Sequence, residues 1–144
     1  MFRGMVLKSL KGLVSVCLAL GFLLVLSVEA KCQTYEEIIP EEAYHMIQKQ
    51  KGNPDFIIID VRTPEEYARE RIKGAVNIDI RGDTFGEEVG KLPREKVYLL
   101  YCRTASRSAR AFEKFQELGF REVYHMLWGI VGWKEAGLPV VADQ

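Results

Sequence analysis

The sequence predicts an α/β protein with a mainly parallel β-sheet and helices on both of its faces. Two observations lead to this prediction. Short apolar runs at residues 55–61 and 96–101 are bounded by turn residues, as is typical of strands buried on both sides. Stretches with helical periodicity and helix start and stop signals separate such runs, so strands and helices alternate along the chain. The 144 residues, 48% of them hydrophobic and 28% charged, suit one globular domain.

The elements follow in order from residue 40. Pro40 suits the first turn of a helix, and Gly52 opens the turn that follows this helix. Thr63 is the expected N-cap of a short helix that begins after the strand 55–61. Residues 82–93 form a connection with about one helical turn. The other predicted elements are strands at 74–78, 96–101 and 122–125, a helix that begins near Ser106 or Arg107 and stops at Gly119, and a helix at 130–136.

The first thirty residues differ from the rest of the chain. A basic start is followed by an uncharged apolar stretch, residues 12–28, and by the exit sequence Val28-Glu29-Ala30. This pattern predicts a signal peptide (1–30) cleaved after Ala30, which leaves an exported domain of residues 31–144, periplasmic in a Gram-negative source. The alternative is a retained membrane anchor that faces the periplasm, and we expect membrane contact only in that case. Lys31 argues against lipid attachment at Cys32.

Charge excludes one class of function. The chain has 20 basic and 20 acidic residues and a formal net charge of zero. Proteins that bind nucleic acid usually present a basic face, so we expect no nucleic-acid partner.

The stretch YCRTASRS, residues 101–108, contains the candidate nucleophile. Cys102 follows a predicted buried strand, and ligands of such sheets bind at the carboxyl ends of the strands. The start of the next helix, together with Arg103 and Arg107, favours a thiolate and attracts anions. The alternative from these residues alone is an inert core cysteine beside two surface arginines.

Three motifs together resemble the rhodanese-type sulfurtransferases. In the active-site loop of that family a cysteine and a basic residue have four residues between them, as Cys102 and Arg107 do. The flanking segments IIIDVRTPEEYARERIKGAVNI, residues 57–78, and GFREVYHMLWGIVGWKEAGLPV, residues 119–140, are similar to the upstream and downstream signatures. The resemblance covers most of residues 34–141 and implies the family's three-layer fold with a five-stranded sheet.

The resemblance also implies an activity. A sulfane sulfur would pass from thiosulfate, or a similar small sulfur-containing anion, to Cys102 as a persulfide, and then to a thiol or cyanide acceptor. The loop backbone would hold the persulfide, and Arg103 and Arg107 would attract the donor. No metal or organic cofactor is expected. The loop residues concerned are Arg103, Thr104, Ala105, Ser106 and Arg107.

Two further residues are expected to support the loop. Asp60 would accept hydrogen bonds from the loop backbone or pair with a loop arginine, and Arg62 would pair with Glu66. His125 ends a strand outside the cysteine motif and is not expected to act as a base.

One departure from the family pattern lies within the loop, where Ala105 replaces the usual glycine. If this position requires positive φ, alanine strains the loop by about 1 kcal/mol.

Three alternative functions are compatible with the sequence. The first is a non-catalytic module that relays sulfur or binds a partner. The second is a phosphatase, whose longer Cys-x5-Arg loop is not matched because Ser108 stands at the arginine position. The third is a thiol-redox protein that pairs Cys32 with Cys102, although both are expected to be thiols in the resting protein.

Overall fold

A five-stranded, entirely parallel sheet forms the centre of the computed structural model, which describes residues 32–142. The strand order is β1-β5-β4-β2-β3, so β4 is the central strand. The predicted signal peptide lies outside the described residues. The strands are β1 (Thr34–Ile38), β2 (Phe56–Asp60), β3 (Ala75–Asn77), β4 (Val97–Tyr101) and β5 (Glu122–Met126).

Among the described residues, four helices connect these strands and a fifth follows β5, which confirms the predicted α/β class. Each predicted helix is present, and the connection at 82–93 contains a short helix, as expected. In the part of the chain described here, no helix is long and apolar enough to cross a membrane. The helices are α1 (Pro40–Lys49), α2 (Pro64–Arg69), α3 (Phe85–Gly90), α4 (Ser106–Glu117) and α5 (Gly129–Glu135).

Two apolar cores lie on the two faces of the sheet because successive side chains of a strand point to opposite faces. In β4, Leu100 packs in one core with Phe112 and Phe115 of α4, while Leu99 packs in the other with Ile130 of α5. Cys102, two positions after Leu100, belongs to the α4 core. The alternation of the central strand therefore directs the candidate nucleophile toward α4.

The strand β1 is an addition that sequence patterning did not predict. Its sequence TYEEI places two exposed glutamates next to each other, so it lacks the apolar run of β2 and β4. It is an edge strand and pairs in parallel with β5, with Glu37 opposite His125. Charged side chains are common on edge strands, where they discourage pairing with other chains.

The start of α5 is joined directly to the end of β4. The backbone N–H of Ile130 donates to the Cys102 carbonyl oxygen at 2.8 Å, and that of Val131 donates to the Arg103 carbonyl oxygen at 3.1 Å. Gly129 has φ +57°, and a Cβ atom there would lie 2.4 Å from the Cys102 oxygen and 2.5 Å from the Arg103 oxygen. Glycine is therefore required by contact as well as by conformation.

Substitution of this glycine should be costly. Gly129→Ala adds a collision with two backbone carbonyls to the strain of positive φ, so we expect it to lower the free energy of unfolding by at least about 2 kcal/mol more than its control. The control is Gly137→Ala, where φ is +69° and no atom lies within 4 Å of the added Cβ. Chemical denaturation of both variants measures the difference. An equal decrease in the free energy of unfolding for both variants would show that the contact with the Cys102 loop does not constrain residue 129.

Candidate active site

Cys102 lies at the carboxyl end of the central strand, immediately before the loop that leads into α4. Its side chain is buried, with 1% exposure, and it is a free thiol. Cys32 is also a free thiol, but it is exposed. The candidate nucleophile is thus enclosed at the edge of the sheet where the sequence predicted it.

The backbone of the loop presents a row of unused donors. Among residues 32–142, the N–H groups from Arg103 to Arg107 donate to no acceptor. The first turn of a helix leaves such groups free, and consecutive free N–H groups form sites that bind anions. The loop residues Thr104 and Ser106 are exposed and contribute backbone here rather than buried side chains. The arrangement suits a negatively charged sulfur species.

Ala105 occupies the left-handed conformation. It has φ 81° and ψ −27° and stands as the N-cap of α4. Its carbonyl oxygen accepts the first helical hydrogen bond, from Ala109 N at 2.8 Å. The loop therefore keeps the shape that glycine normally permits, and alanine bears the steric cost.

Arg107 is held by a carboxylate. Its guanidinium donates two hydrogen bonds to Glu66, from Nη1 to Oε2 at 2.6 Å and from Nη2 to Oε1 at 2.8 Å. The hydrogen bond from Arg107 lowers the pKa of Glu66 to about 2, and the same bond raises the pKa of Arg107. The expected pairing of Glu66 with Arg62 is therefore wrong, because the two-pronged geometry of Arg107 takes both carboxylate oxygens.

Asp60 and Arg62 form a buried pair under the site. Arg62 Nε donates to both Asp60 oxygens, at 2.9 and 3.0 Å, and Arg62 Nη2 donates to Oδ2 at 2.6 Å. Burial by itself lowers the pKa of Arg62, but the hydrogen bond and charge of Asp60 outweigh it and raise that pKa. Arg62 Nη2 also donates to the Glu70 carbonyl.

The role expected of Asp60 is corrected by these contacts. Its carboxylate accepts from the side chain and backbone N–H of Arg62 rather than from residues 103–107. The Asn77 amide donates to the carbonyl oxygens of Asp60 and Arg62. The pair therefore supports the carboxyl ends of β2 and β3, and not the loop directly.

A cleft of about 320 Å³ opens beside the loop, between α2 and α5. Within the described chain, Arg69 and Arg103 form no ion pair, so they are the cleft cations available to an anion. No cluster of three or more potential metal ligands occurs among residues 32–142. The cleft is lined by Arg62, Glu66, Arg69, Glu70, Arg103, Ile130, Val131 and Lys134.

Two buried residues that were not predicted from the sequence as site residues, Ser108 and His125, form a hydrogen-bonded chain that begins at Cys102. Ser108 is fully buried, and its Oγ lies 3.4 Å from Cys102 Sγ. His125, 1% exposed, places Nε2 3.0 Å from the same Oγ. The sequence did contain an indication for His125. It stands two residues after Val123 in a strand, so both side chains lie on the face of β5 that packs against α4.

The fold and the loop define a class: an α/β domain with a cysteine at the end of its central parallel strand, followed by a short anion-binding loop. Comparison with known proteins gives the family. The model of the rhodanese-like domain matches residues 40–136. The chain belongs to the rhodanese-like domain family.

Curated relatives and a solved structure agree with this assignment. The chain is 28% identical over 97 residues to a protein named sulfurtransferase from Allochromatium vinosum, covering 67% of this chain and 89% of that protein. It is 32% identical over 108 residues to thiosulfate sulfurtransferase GlpE of Actinobacillus succinogenes, covering 74% and 90%. A crystal structure of a rhodanese-related protein from Thermoplasma volcanium has a TM-score of 0.65 and 31% identity, covering 76% of this chain and 100% of that one.

The strain at residue 105 should be measurable. We expect Ala105→Gly to leave stability unchanged or to raise the free energy of unfolding by up to about 1 kcal/mol, because it removes the left-handed penalty but makes the unfolded chain more flexible. The matched control is Ala109→Gly inside α4, which should lower stability by about 1 kcal/mol. Denaturant titration gives both values. A loss at residue 105 as large as that at 109 would contradict the proposed strain.

The Arg107–Glu66 pair should give the protein an acid-sensitive component of stability. Because the folded pKa of Glu66 is about 2 and its ordinary value is 4.5, the contribution is present above 4.5 and is lost as pH falls toward 2. Glu66→Gln should therefore cost about 1 kcal/mol near neutrality, and the gap from wild type should narrow below pH 4.5. Thermal and urea unfolding at several pH values test this. Glu113→Gln, at an exposed position without an ion pair in the described chain, is the control.

Proposed function

We propose that this protein is a sulfurtransferase that moves a sulfane sulfur through a persulfide on Cys102. The observation that carries the proposal is the free thiol at the end of β4 beside the unused N–H groups of Arg103 to Arg107. Membership of the rhodanese-like family and relatives named sulfurtransferases support it. A loop with only four residues between Cys102 and Arg107 is better matched to one sulfur atom than to a tetrahedral phosphate.

In the first half-reaction, the Cys102 thiolate attacks the outer sulfur of thiosulfate or a similar donor. A bond forms between the two sulfurs while the bond from the outer sulfur to the sulfonyl sulfur breaks, and its electron pair leaves with sulfite. The negative charge of the persulfide then rests on its outer sulfur. The loop N–H groups stabilise that charge without rearrangement, since they are already held in place.

In the second half-reaction, an acceptor attacks the outer sulfur of the persulfide. The sulfur–sulfur bond breaks, and Cys102 returns to the thiolate. Cyanide, which gives thiocyanate, is the acceptor of the test, and a thiol is the acceptor we propose under physiological conditions. A covalent intermediate between two half-reactions predicts ping-pong kinetics.

Arg103 is the main residue that attracts the anionic donor. The charge of Arg107 is largely compensated by Glu66, and that of Arg62 by Asp60. Arg103 is exposed, lines the cleft and forms no ion pair in the described chain. An uncompensated cation next to the loop attracts a small dianion more strongly than a paired one.

Sulfur loading tests the proposal directly. After incubation with thiosulfate, the peptide that contains Cys102 should gain the mass of one sulfur atom, and reduction should remove it. Cys102→Ser should bring cyanide-dependent thiocyanate formation down to the rate without protein. Cys32→Ser, a change at the exposed cysteine, should retain activity.

Three outcomes would contradict the proposal. An adduct confined to Cys32 would place the reactive thiol elsewhere, and turnover by Cys102→Ser would make the loop cysteine unnecessary. Loading of Cys102 without thiocyanate formation would favour a sulfur relay that lacks turnover with small acceptors.

A further inference from the structure

A chain of buried polar side chains runs from Cys102 to the edge of the sheet. Ser108 Oγ of α4 lies 3.4 Å from Cys102 Sγ and 3.0 Å from His125 Nε2 of β5. On the other side of the ring, His125 Nδ1 lies 3.0 Å from Glu37 Oε1 of β1. Three separate elements thus connect the sulfur to a carboxylate whose side chain is 57% exposed.

The carboxylate determines which histidine nitrogen has the hydrogen. An ionised carboxylate only accepts hydrogen bonds, so Nδ1 donates its N–H to Glu37. In the neutral ring Nε2 is then an acceptor, and it can take the hydroxyl hydrogen of Ser108. The Ser108 oxygen is left with a lone pair near the Cys102 thiol.

The same groups also satisfy the ionised state. When the ring is protonated, Nδ1–H still donates to Glu37, and Nε2–H donates to Ser108 Oγ or to the Ala105 carbonyl oxygen, 3.3 Å away. The Ser108 hydroxyl can then donate to the Cys102 thiolate. Each donor has an acceptor in both states, so the proton can move without a change of packing.

We propose that His125, acting through Ser108 and oriented by Glu37, removes the proton from the Cys102 thiol. The thiol proton passes to Ser108 Oγ while the serine's own hydrogen passes to His125 Nε2. A neutral thiol and a neutral imidazole become a thiolate and an imidazolium, with serine unchanged. This inference rests on the proposed sulfur transfer, which requires the thiolate, and it assigns functions to three residues that the transfer itself does not use.

Charge compensation at the site explains why such a relay is useful. Arg107, one of the two arginines expected to favour the thiolate, is bound by both oxygens of Glu66. An imidazolium formed by the transfer supplies a new positive charge on the α4 face of the sheet, where the thiolate forms. An opposite charge nearby favours ionisation of the thiol.

Within the part of the chain that the structure describes, the groups that surround the His125 imidazole come from three elements. Glu37 contacts it from β1, while α4 contributes Ser108 and Phe112, whose ring centroid is 5.6 Å away. The neighbouring strand β4 pairs Leu100 with His125 and ends next to Cys102. In the described chain, Glu37 is therefore the charged side chain in direct contact with the imidazole, and its removal should affect the relay selectively.

The test is the rate at which iodoacetamide alkylates Cys102, measured between about pH 5 and pH 9 by mass spectrometry of its peptide. Glu37→Gln keeps the size of an exposed side chain but removes its charge. We expect the alkylation rate near neutrality to fall about three- to tenfold. The curve of rate against pH should shift to higher pH by roughly 0.5 to 1 unit. Glu36→Gln, at the adjacent exposed position, is the matched control and should behave as wild type.

A second variant addresses the middle of the chain. Ser108→Ala removes the hydroxyl that connects Cys102 to His125, so it should shift the alkylation profile in the same direction as Glu37→Gln. Its folding is checked by thermal unfolding, and if it is not folded the comparison of Glu37→Gln with Glu36→Gln decides alone.

An alkylation profile unchanged by Glu37→Gln would overturn the relay and leave His125 a packed core residue. Alkylation does not require sulfur transfer, so this result is independent of the proposed function. Failure of thiosulfate to load the wild-type protein would instead overturn the sulfurtransferase proposal, even with a shifted alkylation profile.

Discussion

Two backbone hydrogen bonds, from Ile130 N–H to the Cys102 carbonyl and from Val131 N–H to the Arg103 carbonyl, determine how the rest of the site is arranged. In a trans peptide unit the N–H points away from the C=O. By binding two successive carbonyls to the start of α5, these bonds turn the following N–H groups away from that helix. The free N–H groups of Arg103 and Thr104 are thus a consequence of packing against α5, while those of Ser106 and Arg107 are free because they lie in the first turn of α4. Gly129 makes this approach possible, because any side chain there would meet both carbonyls.

A second constraint is that the strongest charges near Cys102 already have partners. Glu66 binds Arg107, and Asp60 binds the buried Arg62. Arg62 and Asp60 are buried, and burying such charges without partners would be costly. The two pairs hold the loop and the strand ends in place. They leave little net charge to act on the sulfur. In the proposed reaction, the backbone N–H groups then hold the persulfide and the exposed Arg103 attracts the donor. The proposed ionisation of His125 activates the Cys102 thiol.

Much of the fold could be predicted from local patterns, because β2 and β4 are apolar runs and the helices have clear start and stop residues. The position of Cys102 followed from the same alternation. The edge strand β1 was missed since TYEEI has neither an apolar run nor a clean alternation. Spacing likewise could not tell which guanidinium would reach Glu66, because Arg62 and Arg107 come from separate elements that only the fold brings together. His125 was set aside because it ends a strand outside the cysteine motif, although that strand, β5, pairs directly with β4.

The position of β1 has a consequence for where this domain is taken to begin. The match to the family model starts at residue 40, after Thr34–Ile38 has ended. A protein trimmed to that boundary would keep Cys102 and the three sequence motifs, yet it would lose an entire hydrogen-bonded neighbour of β5. The newly open edge would present unpaired backbone groups to other chains. It would also expose one side of His125 to water, so the boundary of the family match and the boundary of the folded sheet do not coincide.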